Sequence, residues 1–122
     1  MRTLRWGFLL AGLLLLFTIA PAAAHAILVE STPAIDATVP PGEIALRLRF
    51  NSRIDRGRSR LTLIRADRST AILPILPDGT DDLIFSKATL DPGSYTVRWQ
   101  VLAVDGHITR GDIPLTVKAP AP

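Results

Sequence analysis

Only two imidazoles occur in the 122 residues of this sequence, at His25 and His107, and both stand where metal binding is the first chemistry to consider. His107 closes the run Val104-Asp105-Gly106-His107, with the carboxylate of Asp105 two residues before the ring. On a turn or frayed strand, side chains two apart can face one way. His25 follows Pro21-Ala22-Ala23-Ala24, and a cut after Ala24 makes it an N-terminal residue offering its α-amine and ring Nδ1 to a single ion. An amine with a reference pKa of about 7.7–8.0 gives up its proton readily to a strong Lewis acid. Together, His25, Asp105 and His107 supply three nitrogens and a carboxylate oxygen. Tetragonal nitrogen and oxygen coordination favours Cu(II), which also stands highest in the divalent affinity order. The sequence has no cysteine, and its single methionine is Met1, so a soft Cu(I) site is disfavoured. Taken singly, an Asp-Gly pair is most often a turn and a histidine on it a partly exposed polar residue. What gives the pattern weight is that the only other histidine falls at the new terminus.

That terminus depends on the first twenty-four residues, which read as an export signal. Arg2 and Arg5 precede an apolar run from Trp6 to Ala20, and Pro21-Ala22-Ala23-Ala24 follows. A charged start, an apolar middle and a small-residue end make a secretory signal peptide, here residues 1–24. The alternative, an uncleaved anchor, is weakened because the run falls short of the roughly twenty residues a spanning helix needs. Cleavage leaves a soluble domain over 25–118 and a flexible tail at 119–122, with export to the periplasm as the expected location. Loss of Arg2 and Arg5 leaves twelve Lys and Arg against eleven Asp and Glu. So nearly neutral a domain gives no reason to expect nucleic acid as a partner. Without disulfides, its stability must come from its apolar core, with a bound ligand as a further source open to it.

The mature chain reads as short strands divided by turn residues, with no helical periodicity. Ala26 to Val29 is a first strand, and Ser31-Thr32-Pro33 and Pro40-Pro41-Gly42 bracket a polar turn region around Asp36. Ile44, Leu46, Leu48 and Phe50 alternate with Ala45, Arg47 and Arg49, which puts one face in a core and the other in solvent. Asn51 to Ser59 reads as a polar loop. Its Arg53, Arg56 and Arg58 are read as a solvated surface, because Asp55 lies among them and no aromatic is interleaved. Leu61 to Ile64, Ala71 to Leu76 and Leu83 to Phe85 are further strands, the last two around the Pro77-Asp78-Gly79 turn. Ser94 to Val104 is the longest, with Tyr95, Val97, Trp99, Val101 and Ala103 on one face. Ile113, Leu115 and Val117 alternate in a closing strand that Pro114 should place at an edge or bulge. The expected fold is all-β: a seven-stranded antiparallel Greek-key sandwich or small barrel, immunoglobulin-like or cupredoxin-like.

Other chemistries find no support. There is no cysteine, no Gly-x-Ser-x-Gly elbow and no phosphate-binding glycine loop. Asp81-Asp82 is not a glycosidase pair, because neighbours on a strand point to opposite faces.

From His25 to Val117 the residues resemble the CopC family of periplasmic copper-binding proteins, small β-barrels with a mature N-terminal histidine. The matching features are Ala24-His25, Ser31-Thr32-Pro33, Leu48-x-Phe50, Pro92-Gly93-x-Tyr95 and, most specific, Trp99 followed by Asp105-Gly106-His107-x-Thr109-x-Gly111. The resemblance implies that His25, through amine and ring, binds Cu(II) together with Asp105 and His107, one ion per mature chain. Some members add an acidic residue just past the strand-ending phenylalanine, where this chain has Ser52. Others carry a methionine-rich Cu(I) site, which this chain lacks. The family often works beside a copper-transporting inner-membrane protein. The expected function is therefore sequestration or delivery of Cu(II) in copper homeostasis or resistance, without turnover. Two alternatives stand beside it. One is a redox enzyme with a histidine copper brace, similar to lytic polysaccharide monooxygenases; against it are the short chain and Trp99 and Tyr95 on the core face. The other is a metal-free interaction sandwich.

Overall fold

A computed structural model describes residues 25–122; the signal peptide expected at 1–24 lies outside the described residues. The chain forms β1 (Leu28–Thr32), β2 (Ala37–Val39), β3 (Gly42–Phe50), β4 (Ile54–Arg65), β5 (Thr70–Leu73), β6 (Leu83–Leu90), β7 (Gly93–Ala103) and β8 (Ile108–Val117). They make two sheets, in the orders β1-β3-β6 and β2-β8-β7-β4-β5. No helix among the described residues is long and apolar enough to cross a membrane.

Period-two alternation builds the core. Ile44, Leu46, Leu48 and Phe50 on β3 are buried, and so are Val97, Trp99, Val101 and Ala103 on β7. Leu61 and Leu63 from β4, Ile84 and Leu90 from β6, and Ile113, Leu115 and Val117 from β8 complete one continuous cluster between the sheets. Each such side chain contributes roughly 1.5–3 kcal/mol on leaving water. Phe50 of one sheet meets Trp99 of the other edge to face, with ring centroids 5.2 Å apart, an arrangement worth about 0.5–1.5 kcal/mol beyond the area buried.

The all-β architecture is as the sequence predicts, but there are eight strands where seven were expected, and the larger sheet is mixed. The extra strand is β2, within the stretch read as a polar turn. Asp36 takes a φ of 65°, its N–H donates to the Pro114 carbonyl at 2.7 Å, and Ala37–Val39 then lies parallel to Leu115–Val117. A three-residue strand carries too little alternation to be seen in sequence. β8 is neither bulged nor simply an edge at Pro114, since its pairing with β7 runs without a shift from Gly93↔Val117 to Leu102↔Ile108. The Pro114 carbonyl faces β2, so its ring nitrogen points the same way and no β7 hydrogen bond is lost.

The predicted loop Asn51–Ser59 is also corrected, because β4 begins at Ile54. A register shift between Asp55 and Arg60 disguises this part of the strand. Arg56 is not simply solvated: its guanidinium donates to the carbonyls of Asp78, Thr80 and Leu83 at 3.2, 2.9 and 3.2 Å, fastening the 78–83 turn to β4. The first strand begins at Leu28, and β5 stops at Leu73, with Leu76 joined to Phe85 by an isolated bridge.

Candidate metal centre

The turn from β7 to β8 holds two of the three predicted site residues. Gly106 N–H donates to the Ala103 carbonyl at 2.9 Å, and Ala103 N–H donates to the His107 carbonyl at 2.8 Å. Asp105 closes the turn from within, its Oδ1 accepting the His107 N–H at 3.0 Å, the local bond that makes aspartate a turn residue. Gly106 has a φ of +89°, a conformation that side chains with a Cβ rarely adopt. Asp105 Oδ2 also lies 3.0 Å from His107 Nδ1. That contact favours the tautomer with its proton on Nδ1 and leaves Nε2 with the lone pair. The His107 backbone N–H, its ring, and the nearby charge of His107 and then His25 hold the Asp105 carboxyl below the usual carboxylate range, against a smaller opposing effect of desolvation.

His25 arrives from the far end of the sequence. Ala26, fully buried, follows it, and the Ala26 carbonyl accepts a hydrogen bond from Thr109 Oγ1 at 2.7 Å. One residue on, Ile27 N–H donates to Asn51 Oδ1 at 2.8 Å, and Asn51 N–H donates back to the Ile27 carbonyl at 2.9 Å. The His25 ring then stands against that of His107, with centroids 4.6 Å apart and planes tilted by 54°. One donor atom from each of His25, Asp105 and His107 lies within 4.8 Å of the others, and all three residues are exposed. Among the described residues no other group of His, Asp or Glu is so placed.

The spacing of the motif follows from register. Trp99 lies opposite Gly111, and a Cβ on Gly111 would fall 2.3 Å from the indole, so only glycine leaves room for the ring. Thr109 lies on β8 between Gly111 and the turn residue His107, and there it reaches Ala26. The structure thus brings His25, Asp105 and His107 together. Ser52 is not a donor of that cluster, and its Oγ is buried without a hydrogen-bond partner. Thr109 and Asn51 were missed by sequence reasoning as site-building residues; a hydroxyl two residues past His107 was the one available hint. Asp82 belongs to a turn, where the Thr80 hydroxyl lowers its carboxyl.

A β-sandwich with two histidines and an aspartate at one end of its sheets defines a class, and sequence comparison gives that class a name. Residues 28–118 match the CopC domain model, and the chain belongs to that family. It is 35% identical over 99 residues to Protein YobA of Escherichia coli K12, an alignment covering 78% of this chain and 80% of that one. Among solved structures, CopC from Methylosinus trichosporium OB3b superposes with a TM-score of 0.70 at 24% identity, over 80% of this chain and 98% of the other. PcoC of Escherichia coli, described as a methionine-rich copper resistance protein, gives 0.65 at 25% identity, over 78% and 100%.

Proposed function

We propose that this protein is exported to the periplasm, cut between Ala24 and His25, and binds one Cu(II) ion per mature chain in copper homeostasis or resistance, without turnover. The observation that carries the reading is the meeting of His25, Asp105 and His107, with donor atoms within 4.8 Å of one another. Bonds of about 2.0–2.2 Å from an imidazole or carboxylate to a metal put two such donors at most ~4.3 Å apart. Small rotations of exposed side chains therefore suffice to close the set around an ion.

The donors fit Cu(II). His25 contributes Nδ1 and, once cleaved, the α-amine in one chelate ring; His107 contributes Nε2 and Asp105 an oxygen. Copper supplies the Lewis acidity that keeps the terminal amine deprotonated near neutral pH. The Asp105 carboxyl, already lowered, is ionised and ready to bind. PcoC is described as methionine-rich, whereas this chain has only Met1, so a thioether Cu(I) site and shuttling between two sites form no part of the proposal. Trp99, 7% exposed, and half-buried Tyr95 offer no flat aromatic platform for a polysaccharide, which favours binding over a copper-brace oxidase. An exposed site suits transfer to a copper-transporting membrane partner.

The test is Cu(II) titration of processed protein whose terminus has been placed by mass spectrometry. One ion per chain, with nitrogen hyperfine structure in the electron paramagnetic resonance spectrum, is expected. A mature terminus elsewhere than His25, or tight binding that survives His107→Ala, would overturn the proposal.

A further inference from the structure

The structure also bears on how the mature terminus is held, an inference that rests on the copper reading above. A chain end is mobile unless something fixes it, and His25 is exposed. Two side chains fix the backbone just behind it, beside the bond from Asn51 N–H to the Ile27 carbonyl. Thr109 Oγ1 donates to the Ala26 carbonyl at 2.7 Å, and the Asn51 side chain accepts from Ile27 N–H at 2.8 Å. The first comes from β8 of the five-stranded sheet, two residues past His107, and the second from the end of β3 in the other sheet. Both act on the one peptide group that joins buried Ala26 to Ile27.

We propose that Thr109 is a positioning residue for the copper site: it holds the processed terminus against His107 before the metal arrives. Thr109 lies near the start of β8, two residues past His107 in the turn that leads into that strand, so the tie limits the distance from the His25 backbone to the second imidazole. The tie also sets which processed terminus suits the site. With residues 26 and 27 held, the residue whose ring meets His107 is His25, and a terminus one residue longer turns its amine into an amide and carries the free amine one residue away.

The test compares wild type, Thr109→Val and Thr109→Ser, each exported as the full chain and purified in processed form. Valine keeps the shape and β-propensity but loses the hydroxyl; serine retains it. Cu(II) affinity by chelator competition should fall roughly three- to tenfold in Thr109→Val, the scale of one net hydrogen bond, and recover in Thr109→Ser. Paramagnetic resonance of Thr109→Val should show a second species with fewer nitrogens. In a His25→Ala background, Thr109→Val should have no further effect on copper, whereas a residue supporting only the fold would still weaken binding. Contacts between the His25 and His107 rings, read by NMR in copper-free protein, should be clear in wild type and lost in Thr109→Val. Unchanged affinity, one spectrum and intact ring contacts in Thr109→Val would overturn the proposal. If wild type bound no copper yet the ring contacts vanished with the hydroxyl, positioning would stand and the copper reading would fall.

Discussion

Asp105 and His107 are placed by their own turn, whereas His25 is placed by the rest of the protein. The first two need only Gly106 in a positive-φ conformation and three hydrogen bonds spanning residues 103–107. His25 needs β3 to deliver Asn51 and β8 to deliver Thr109, and the proposed site further needs a peptidase to free its amine. One half of the centre therefore forms from local sequence, and the other reports that both sheets have closed. Ligand binding of this kind is linked to folding, because the unfolded chain cannot present the two halves together.

The comparison breaks most sharply if either half is removed. His107→Ala takes away the ring that faces both other donors, and Cu(II) affinity should fall more than about a hundredfold, beyond the 10–100-fold typical of losing a group that only orients a ligand. Adding one alanine before His25 should weaken binding on a similar scale while leaving every side chain in place, since it converts the amine to an amide. If the extended protein binds as the processed one does, the local half alone makes the site. Asp105→Asn is the smaller perturbation: its amide oxygen can still accept the His107 N–H, but the charge is gone, and a loss of about tenfold is expected.

Gly111→Ala and Gly106→Ala separate the two kinds of support. A Cβ at Gly111 would lie 2.3 Å from the Trp99 indole, which is itself packed edge-on against Phe50. Such overpacking costs typically 1–3 kcal/mol and should lower the melting temperature while disturbing β8, and with it Thr109. At Gly106 a Cβ meets nothing within 4 Å, so the cost is backbone strain alone, about 1–2 kcal/mol, confined to the turn. Calorimetry beside copper titration should show Gly111→Ala loosening His25, and Gly106→Ala displacing Asp105 and His107.

The same division decides what could be read from sequence. Asp105-Gly106-His107 is legible because its geometry is local and its residue types are turn formers. The alternation Ile44 to Phe50 and Tyr95 to Ala103 is legible because period two survives wherever one face is buried. The tie from Thr109 to Ala26 spans 83 residues, and no local pattern encodes such a contact. β2 escaped because three residues with one partner strand leave no periodicity, and the start of β4 because its arginines sit on a strand whose register shifts. Ser52 could be recognised as a departure from acidic relatives, but nothing in the sequence indicated that its hydroxyl would be buried without a partner.

The smallest effect concerns acid. Imidazoles must be neutral and carboxylates ionised to hold a metal, so protons compete with copper for the donors and lowering the pH should release it. Asp105, held below the usual range chiefly by the His107 N–H, keeps its charge to lower pH than an ordinary carboxylate. The fold responds later. Asp112 is lowered from 3.8 by its hydrogen bonds to Arg98 and by that guanidinium's charge, which it meets at 2.8 Å. A carboxylate lowered on folding contributes stability that is fully present above its unfolded value and disappears only as pH falls through its folded value. Because the Asp112 and Arg98 side chains are 44% and 52% exposed, that contribution is at most about 1 kcal/mol. Between pH 7 and 4.5 the copper absorbance should therefore vanish while the far-ultraviolet circular dichroism stays flat, and Asp112→Asn should leave the copper curve where it was. Coincident loss of the two signals would mean that the turn and the terminus are coupled to the sheets more tightly than their separate hydrogen bonds imply.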